Sequence, residues 1–204
     1  MLIERPPSIY RAFFPGAHWR FQTQEKAVYL TFDDGPIPEV TPWVLDLLDK
    51  YGIKATFFCV GDNVRKYPAI YRQVIERGHV VGNHTFHHLQ GLRTRKKAYL
   101  LDVKVAEKYI QSPLFRPPYG HLWLSQFFSL RKQYKVIMWD VVTRDYSRLM
   151  TAEKVFDKVK KYTRNGSVIV FHDSLKSADK MMDALPKSIE WLLQQGYVFK
   201  VIET

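Results

Sequence analysis

Short apolar runs alternate with longer stretches of helical period along this chain. Runs of strand length, rich in Val, Ile, Tyr and Phe, stand at Ala27–Phe32, Ala55–Val60, His79–Gly82, Leu114–Arg116, Tyr134–Trp139, Ser167–Phe171 and Tyr197–Ile202. Between them the pattern predicts helices at Val40–Lys50, Val64–Arg77, Arg95–Ile110, Trp123–Lys132, Ala152–Thr163 and Lys180–Gln195. In the first of these, Val44, Leu45, Leu47 and Leu48 form one stripe, and Gly78 and Gly196 read as stop signals. Regular alternation of strand and helix predicts parallel strands joined by crossover helices. Six or seven such units predict a single α/β domain built as a closed or nearly closed barrel, with a doubly wound open sheet as the alternative. Either architecture places ligands beyond the carboxyl ends of the strands. Those ends are therefore where chemistry should collect.

It does collect there. The first strand runs into Thr31-Phe-Asp-Asp-Gly-Pro36, two adjacent carboxylates before a Gly-Pro turn. Adjacent strand residues face opposite ways, but a turn can bring both into one cleft, and packing does not favour such a pair. The third strand ends in Gly82-Asn-His-Thr-Phe-His-His88. Read as one helical turn, His84 and His88 share a face, with His87 as the close competitor. Two imidazoles and one carboxylate suit a catalytic zinc or a non-haem iron. The fourth strand ends in Arg116-Pro-Pro-Tyr-Gly120, where Arg116 can pair with a carboxylate. Asp140 and Asp145 follow the fifth strand as candidates to orient a histidine, and the sixth delivers His172-Asp173, an acid/base candidate.

Composition narrows the setting. The chain has 204 residues, 46% hydrophobic and 25% charged, which fits one globular domain. Its single cysteine, Cys59, excludes an internal disulfide. No apolar run is long enough for a membrane span, and the first residues lack the apolar block of a secretory signal, which leads to the expectation of a cytoplasmic protein. The net charge of +11 favours acidic partners. The densest basic run, Arg93-Thr-Arg-Lys-Lys97, has no nucleic-acid motif beside it, and no nucleic-acid partner is expected.

In order and spacing, Thr31–Pro36, His84–His88, Arg116–Tyr119, Asp145-Tyr146 and Val170–His172 resemble the five motifs of the polysaccharide deacetylases of the NodB-homology group, carbohydrate esterase family four. The resemblance covers residues 26–204 as a catalytic domain, leaving residues 1–25 as an N-terminal extension packed on it. It implies a distorted (β/α) barrel of about seven parallel strands. It implies a metal-dependent hydrolase that removes acetyl groups from the N-acetylated amino sugars of a glycan, chitin oligosaccharide or peptidoglycan in type. An O-acetyl xylan-type esterase and a catalytically silent sugar-binding domain are the alternatives. Asp34, His84 and His88 would bind the divalent metal, zinc first, with cobalt or nickel as alternatives. Asp33 would be the general base, held by Arg116. The Tyr119 N–H would help form the oxyanion hole, and His172, tuned by Asp145, would be the general acid. Tyr146 and Val170 would form the acetyl pocket, with Pro118 in the same substrate pocket. Trp123 is a further substrate-pocket candidate on separate grounds, as an aromatic just after the third motif where a sugar needs a platform. Tyr146 stands where the family usually has Trp, and Val170 where it has Leu, so the acyl pocket departs from the family pattern. The substrate would be an acetylated glycan, and the basic charge favours an acidic one.

Overall fold

A computed structural model describes residues 5–204. Its sheet is all parallel. β1 (Ala27–Asp33) lies at the centre and is buried along its whole length. That explains why its sequence is almost continuously apolar rather than alternating. β2 (Thr56–Cys59), β3 (Val80–Asn83), β4 (Leu114–Phe115) and β5 (Lys135–Val136) follow on one side of it, in that order. β7 (Ser167–His172) and then β6 (Val141–Val142) lie on the other, and β8 (Val198–Phe199) pairs with the first residues of β1.

The sequence predicts one strand over Tyr134–Trp139, and here the chain does something different. β5 and β6 are the two edges of the sheet, and the short segment 137–140 carries the chain from one to the other. The Ile137 N–H donates to the Phe115 carbonyl of β4, and the Asp140 N–H donates to the Val168 carbonyl of β7. The segment thus extends the β4–β5 pairing at one end and the β6–β7 pairing at the other, and the sheet curls into a distorted half-barrel without a β5–β6 ladder. The outer side of the β5 continuation is met by His18, whose N–H donates to the Val136 carbonyl and whose carbonyl accepts the Met138 N–H. The last predicted strand is likewise shorter, since only Val198 and Phe199 find a partner strand.

Helices α2 (Thr41–Lys50), α5 (Lys96–Glu107), α6 (Leu124–Leu130), α7 (Ala152–Tyr162) and α8 (Ala178–Gln194) match predicted segments to within a few residues. The predicted helix over Val64–Arg77 is two: α3 (Gly61–Lys66) and α4 (Pro68–Glu76). Pro68 has no N–H to continue the first helix, but its fixed φ suits the first position of the second.

The segment before β1 contributes a short helix, α1 (Ser8–Ala12). Phe14 and Trp19 are buried in a cluster with Phe127 and Trp139. Arg11 donates to the fully buried Asp140 at 2.8 Å. Among the described residues, no helix is long and apolar enough to cross a membrane.

Candidate active site

Strand register assembles the site. Asp33 is the Cα partner of His172 across the β1–β7 ladder, so the carboxyl ends of these two strands lie side by side. Asn83 pairs with Phe115 in the same way, which delivers His84 and Arg116 together one residue later. Between these ends opens a cleft of 330 Å³ lined by Asp33, Asp34, His84, His88, Tyr119 and His172, with Tyr146 and Val170 on its wall.

Asp33 is the last residue of β1, and Asp34 turns to φ 85° immediately after it. That left-handed turn brings both adjacent carboxylates to the cleft, where a continued strand would separate them. The Gly35 that follows is required for space. A Cβ there would lie 2.0 Å from Asp173 Oδ2. Asp173 instead accepts the Gly35 N–H at 3.0 Å and the Thr41 hydroxyl at 2.6 Å, bracing the turn from behind. Burial raises the Asp173 carboxyl to about 8, against the pull of those hydrogen bonds.

The histidine segment is a loop, not the helical turn that its spacing suggests. Thr85 and His88 both have positive φ, 63° and 56°. Side chains rather than helical hydrogen bonds hold it. Asn83 Oδ1 accepts the Thr85 N–H, Thr85 Oγ1 accepts the Leu89 N–H, and Asp102 Oδ2 on α5 accepts the N–H groups of Phe86 and His87. The result separates the two competing imidazoles. His87 is turned to Asp102, with Nδ1 2.5 Å from its Oδ1. His88 Nε2 lies 3.1 Å from Asp34 Oδ1, and His84 Nε2 lies 3.8 Å from the same oxygen.

Asp34, His84 and His88 thus place three donor atoms within 4.8 Å of one another. His84 Nδ1–H donates to the Arg116 carbonyl at 2.7 Å, which leaves Nε2 as the lone-pair atom facing Asp34. Burial lowers His84 to about 4 and keeps it neutral. Burial opposes ionisation of Asp34, but the His88 hydrogen bond and the nearby imidazoles outweigh it and hold the carboxyl below its usual range. Two imidazole nitrogens and an ionised carboxylate, converging on one point, are a donor set suited to a divalent cation, so the residues fit such an ion.

Arg116 is completely buried, with every polar branch satisfied. Its Nη1 donates to Asp33 Oδ1 at 2.7 Å and to Thr31 Oγ1 at 2.8 Å, and its Nη2 to the Met138 carbonyl at 2.9 Å. The ring of Phe58 lies beneath the guanidinium, 4.1 Å from centroid to Cζ. Across the cleft, His172 Nδ1–H donates to Asp145 Oδ1 at 2.7 Å, and Asp145 Oδ2 accepts the His172 N–H. Burial disfavours the imidazolium, but Asp145, Asp34 and Asp33 together raise His172 to about 9. The edge of the Tyr146 ring meets this imidazole at 4.8 Å between centroids. Tyr119 sits at φ 59° in a tight turn, its ring against His88 at 4.8 Å. The N–H groups of Gly120 and His121 are committed to the carbonyls of Pro117 and Pro118.

Three readings of the sequence need correction. Pro118 and Trp123 do not line the cleft: Pro117 takes that place, Pro118 is buried, and Trp123 stands exposed before α6. Asp140 orients no histidine; its carboxylate binds Arg11, Arg164 and the Ser167 hydroxyl. Asp102 and Asp173 were missed as supports. The signal for Asp173 was its place beside His172. Asp102 had none, because only folding brings α5 to the histidine loop.

Comparison with known proteins agrees with this fold. Residues 21–138 match the polysaccharide deacetylase family model. A peptidoglycan-N-acetylglucosamine deacetylase of Bacillus cereus is 34% identical over 192 residues, 90% of this chain and 90% of its own. A chitooligosaccharide deacetylase of Azorhizobium caulinodans is 33% identical over 76% of this chain and 77% of its own. The crystal structure of a peptidoglycan N-acetylglucosamine deacetylase in complex with 4-naphthalen-1-yl-N-oxidanyl-benzamide superposes with a TM-score of 0.85 at 28% identity, over 97% of this chain and 95% of that one. A parallel barrel of this topology, matched over this length, belongs to the polysaccharide deacetylase family, carbohydrate esterase family four, and the chain is a hydrolase of carbon–nitrogen bonds that deacetylates glycans.

Proposed function

We propose that this chain is a metal-dependent N-deacetylase of a peptidoglycan-type glycan, releasing acetate and leaving a free amino sugar. The observation that carries the reading is the Asp34–His84–His88 cluster, flanked on one side by the salt-bridged Asp33 and on the other by the Asp145-held His172. Asp34, His84 and His88 are the residues that hold the cation, with zinc expected and cobalt or nickel as substitutes. When bound, the cation supplies Lewis acidity and a water of lowered pKa.

The chain's own groups do the rest. Asp33 takes the proton of the attacking water as general base, and Arg116 fixes the carboxylate that receives it. The Tyr119 N–H donates to the oxyanion that forms at the acetyl carbonyl. His172, raised to about 9, carries a proton at neutral pH and gives it to the departing amine nitrogen. Val170 and Tyr146 bound the space for the acetyl methyl. The B. cereus relative supports a peptidoglycan substrate, and the A. caulinodans relative keeps chitin oligosaccharides in the test.

The test is acetate release from peptidoglycan fragments, N-acetylglucosamine oligomers and O-acetyl xylan, using zinc-reconstituted protein with and without chelator. Release from an N-acetyl glycan is expected, lost on chelation, with kcat lowered about 10²–10⁴-fold in Asp33→Asn. Near-normal turnover of Asp33→Asn with metal retained would remove Asp33 as the base. Acetate from xylan alone would overturn the substrate reading.

A further inference from the structure

Three stretches of this chain, residues 5–24, 88–101 and 118–133, contain no Asp or Glu at all. The fold joins them into one face. Gln126 on α6 donates to the carbonyls of Gly91 and Thr94, at 3.0 and 2.9 Å. The Phe14 ring packs edge-on against Phe127 at 5.2 Å, and Arg131 donates to the Pro15 carbonyl at 2.8 Å. The face reaches the cleft rim, because the Tyr10 hydroxyl donates to the carbonyl of Gly120, which lines the cleft.

Two kinds of side chain stand out from it. Phe13, Leu92, Trp123, Leu124 and Phe128 are exposed, Phe13 at 57% and Trp123 at 54%. Beside them Arg93, Arg95, Lys96 and Lys97 are exposed, and among the described residues none of the four forms an ion pair. These cations do not serve their helix. They cluster at the N-terminal end of α5, where the helix dipole disfavours positive charge and no acidic residue compensates. Exposed aromatic and leucyl side chains are costly in water unless something covers them. Apolar groups flanked by unpaired cations, with no carboxylate among them, match the interface of a bilayer carrying anionic headgroups. A second copy of the same basic face would repel this one.

We infer that this face docks the enzyme on an anionic lipid surface, with the cleft mouth at its margin. The glycan presented there is then one held close to a membrane, which extends the substrate reading. The docking itself is measured without hydrolysis, so its failure is separable from failure of the deacetylase assignment.

The experiment is co-sedimentation of the full chain with phosphatidylcholine vesicles, with and without phosphatidylglycerol. Binding is expected only with phosphatidylglycerol. It should fall by at least about tenfold in Leu124→Ser/Phe128→Ser, and again in Arg93→Gln/Arg95→Gln/Lys96→Gln/Lys97→Gln. A control that neutralises Lys154, Lys160, Lys161 and Lys180, on α7 and α8, should keep its binding. Acetate release from a soluble oligosaccharide should be unchanged in all of these variants. No binding to phosphatidylglycerol vesicles overturns the inference. So does equal loss in the control, which would reduce the effect to net charge, and so does a dimer in light scattering that the Leu124/Phe128 pair abolishes.

Discussion

His172 shows how far one residue is made by its neighbours. An ordinary imidazole is mostly neutral at pH 7, and burial would make it more so. Asp145 reverses this through a short hydrogen bond and its charge, and Asp33 and Asp34 add to it. A general acid must be protonated, so kcat/KM should decline only as pH rises through about 9. Asp145→Asn should move that alkaline limb down by a unit or more, towards the ordinary imidazole value of 6.5, and a pH–rate profile reads the shift. An unmoved limb would mean that another group supplies the proton. Gly35 is the opposite case, a residue defined by missing atoms. Gly35→Ala sets a methyl against Asp173 and should cost about 1–3 kcal/mol in chemical denaturation, as overpacking does.

At the scale of elements, the histidine loop depends on a helix far along the chain. Asp102 on α5 binds two successive N–H groups and the His87 ring, and so sets the path between His84 and His88. Supports of this kind usually matter about 10–100-fold to metal affinity. Asp102→Ala should therefore weaken zinc binding by about that factor in a competition titration with a chelating dye. His87→Ala, which leaves the backbone bonds of Asp102 in place, should weaken it less. Equal zinc affinity in wild type and Asp102→Ala would show that the loop holds its shape unaided.

For the whole molecule, Asp140 is the tie between the N-terminal segment and the barrel. Burial opposes its ionisation, but Arg164, Arg11 and Ser167 overcome that and lower it to about 2. A carboxyl so depressed contributes stability above its unfolded value of 3.8, and that contribution is lost as pH falls through about 2. Asp140→Asn should lower stability at pH 7 by about 3 kcal/mol, since it leaves arginines facing a buried site. The difference in Tm from wild type should shrink steadily below pH 4. A difference that is constant down to pH 2 would assign the loss to packing. His172 acts on the other side: its raised pKa adds stability below about 6.5 that disappears as pH climbs through about 9.

Hydrophobic periodicity and local chemistry were legible in the one-dimensional sequence. The alternation of strand and helix determined a parallel α/β domain, because period and length decide which face each segment must bury, but it left barrel and open sheet as alternatives. Adjacent carboxylates, clustered imidazoles and a buried-strand histidine at the strand ends determined where the chemistry lies, because packing alone gives no reason for them. Only the tertiary structure decided the rest. Spacing alone left His87 competing with His88; the family motif favours His88, and the physical reason, Asp102 reaching His87 from α5, exists only in the fold. It curled the sheet into a half-barrel and sent residues 137–140 across from β5 to β6, since strand pairing is set by partners remote in sequence. It moved Asp140 from the catalytic candidates to the arginine cluster, and it gathered three carboxylate-free stretches into one face. In each case the deciding contact joins residues far apart along the chain, and no local pattern encodes which of them will meet.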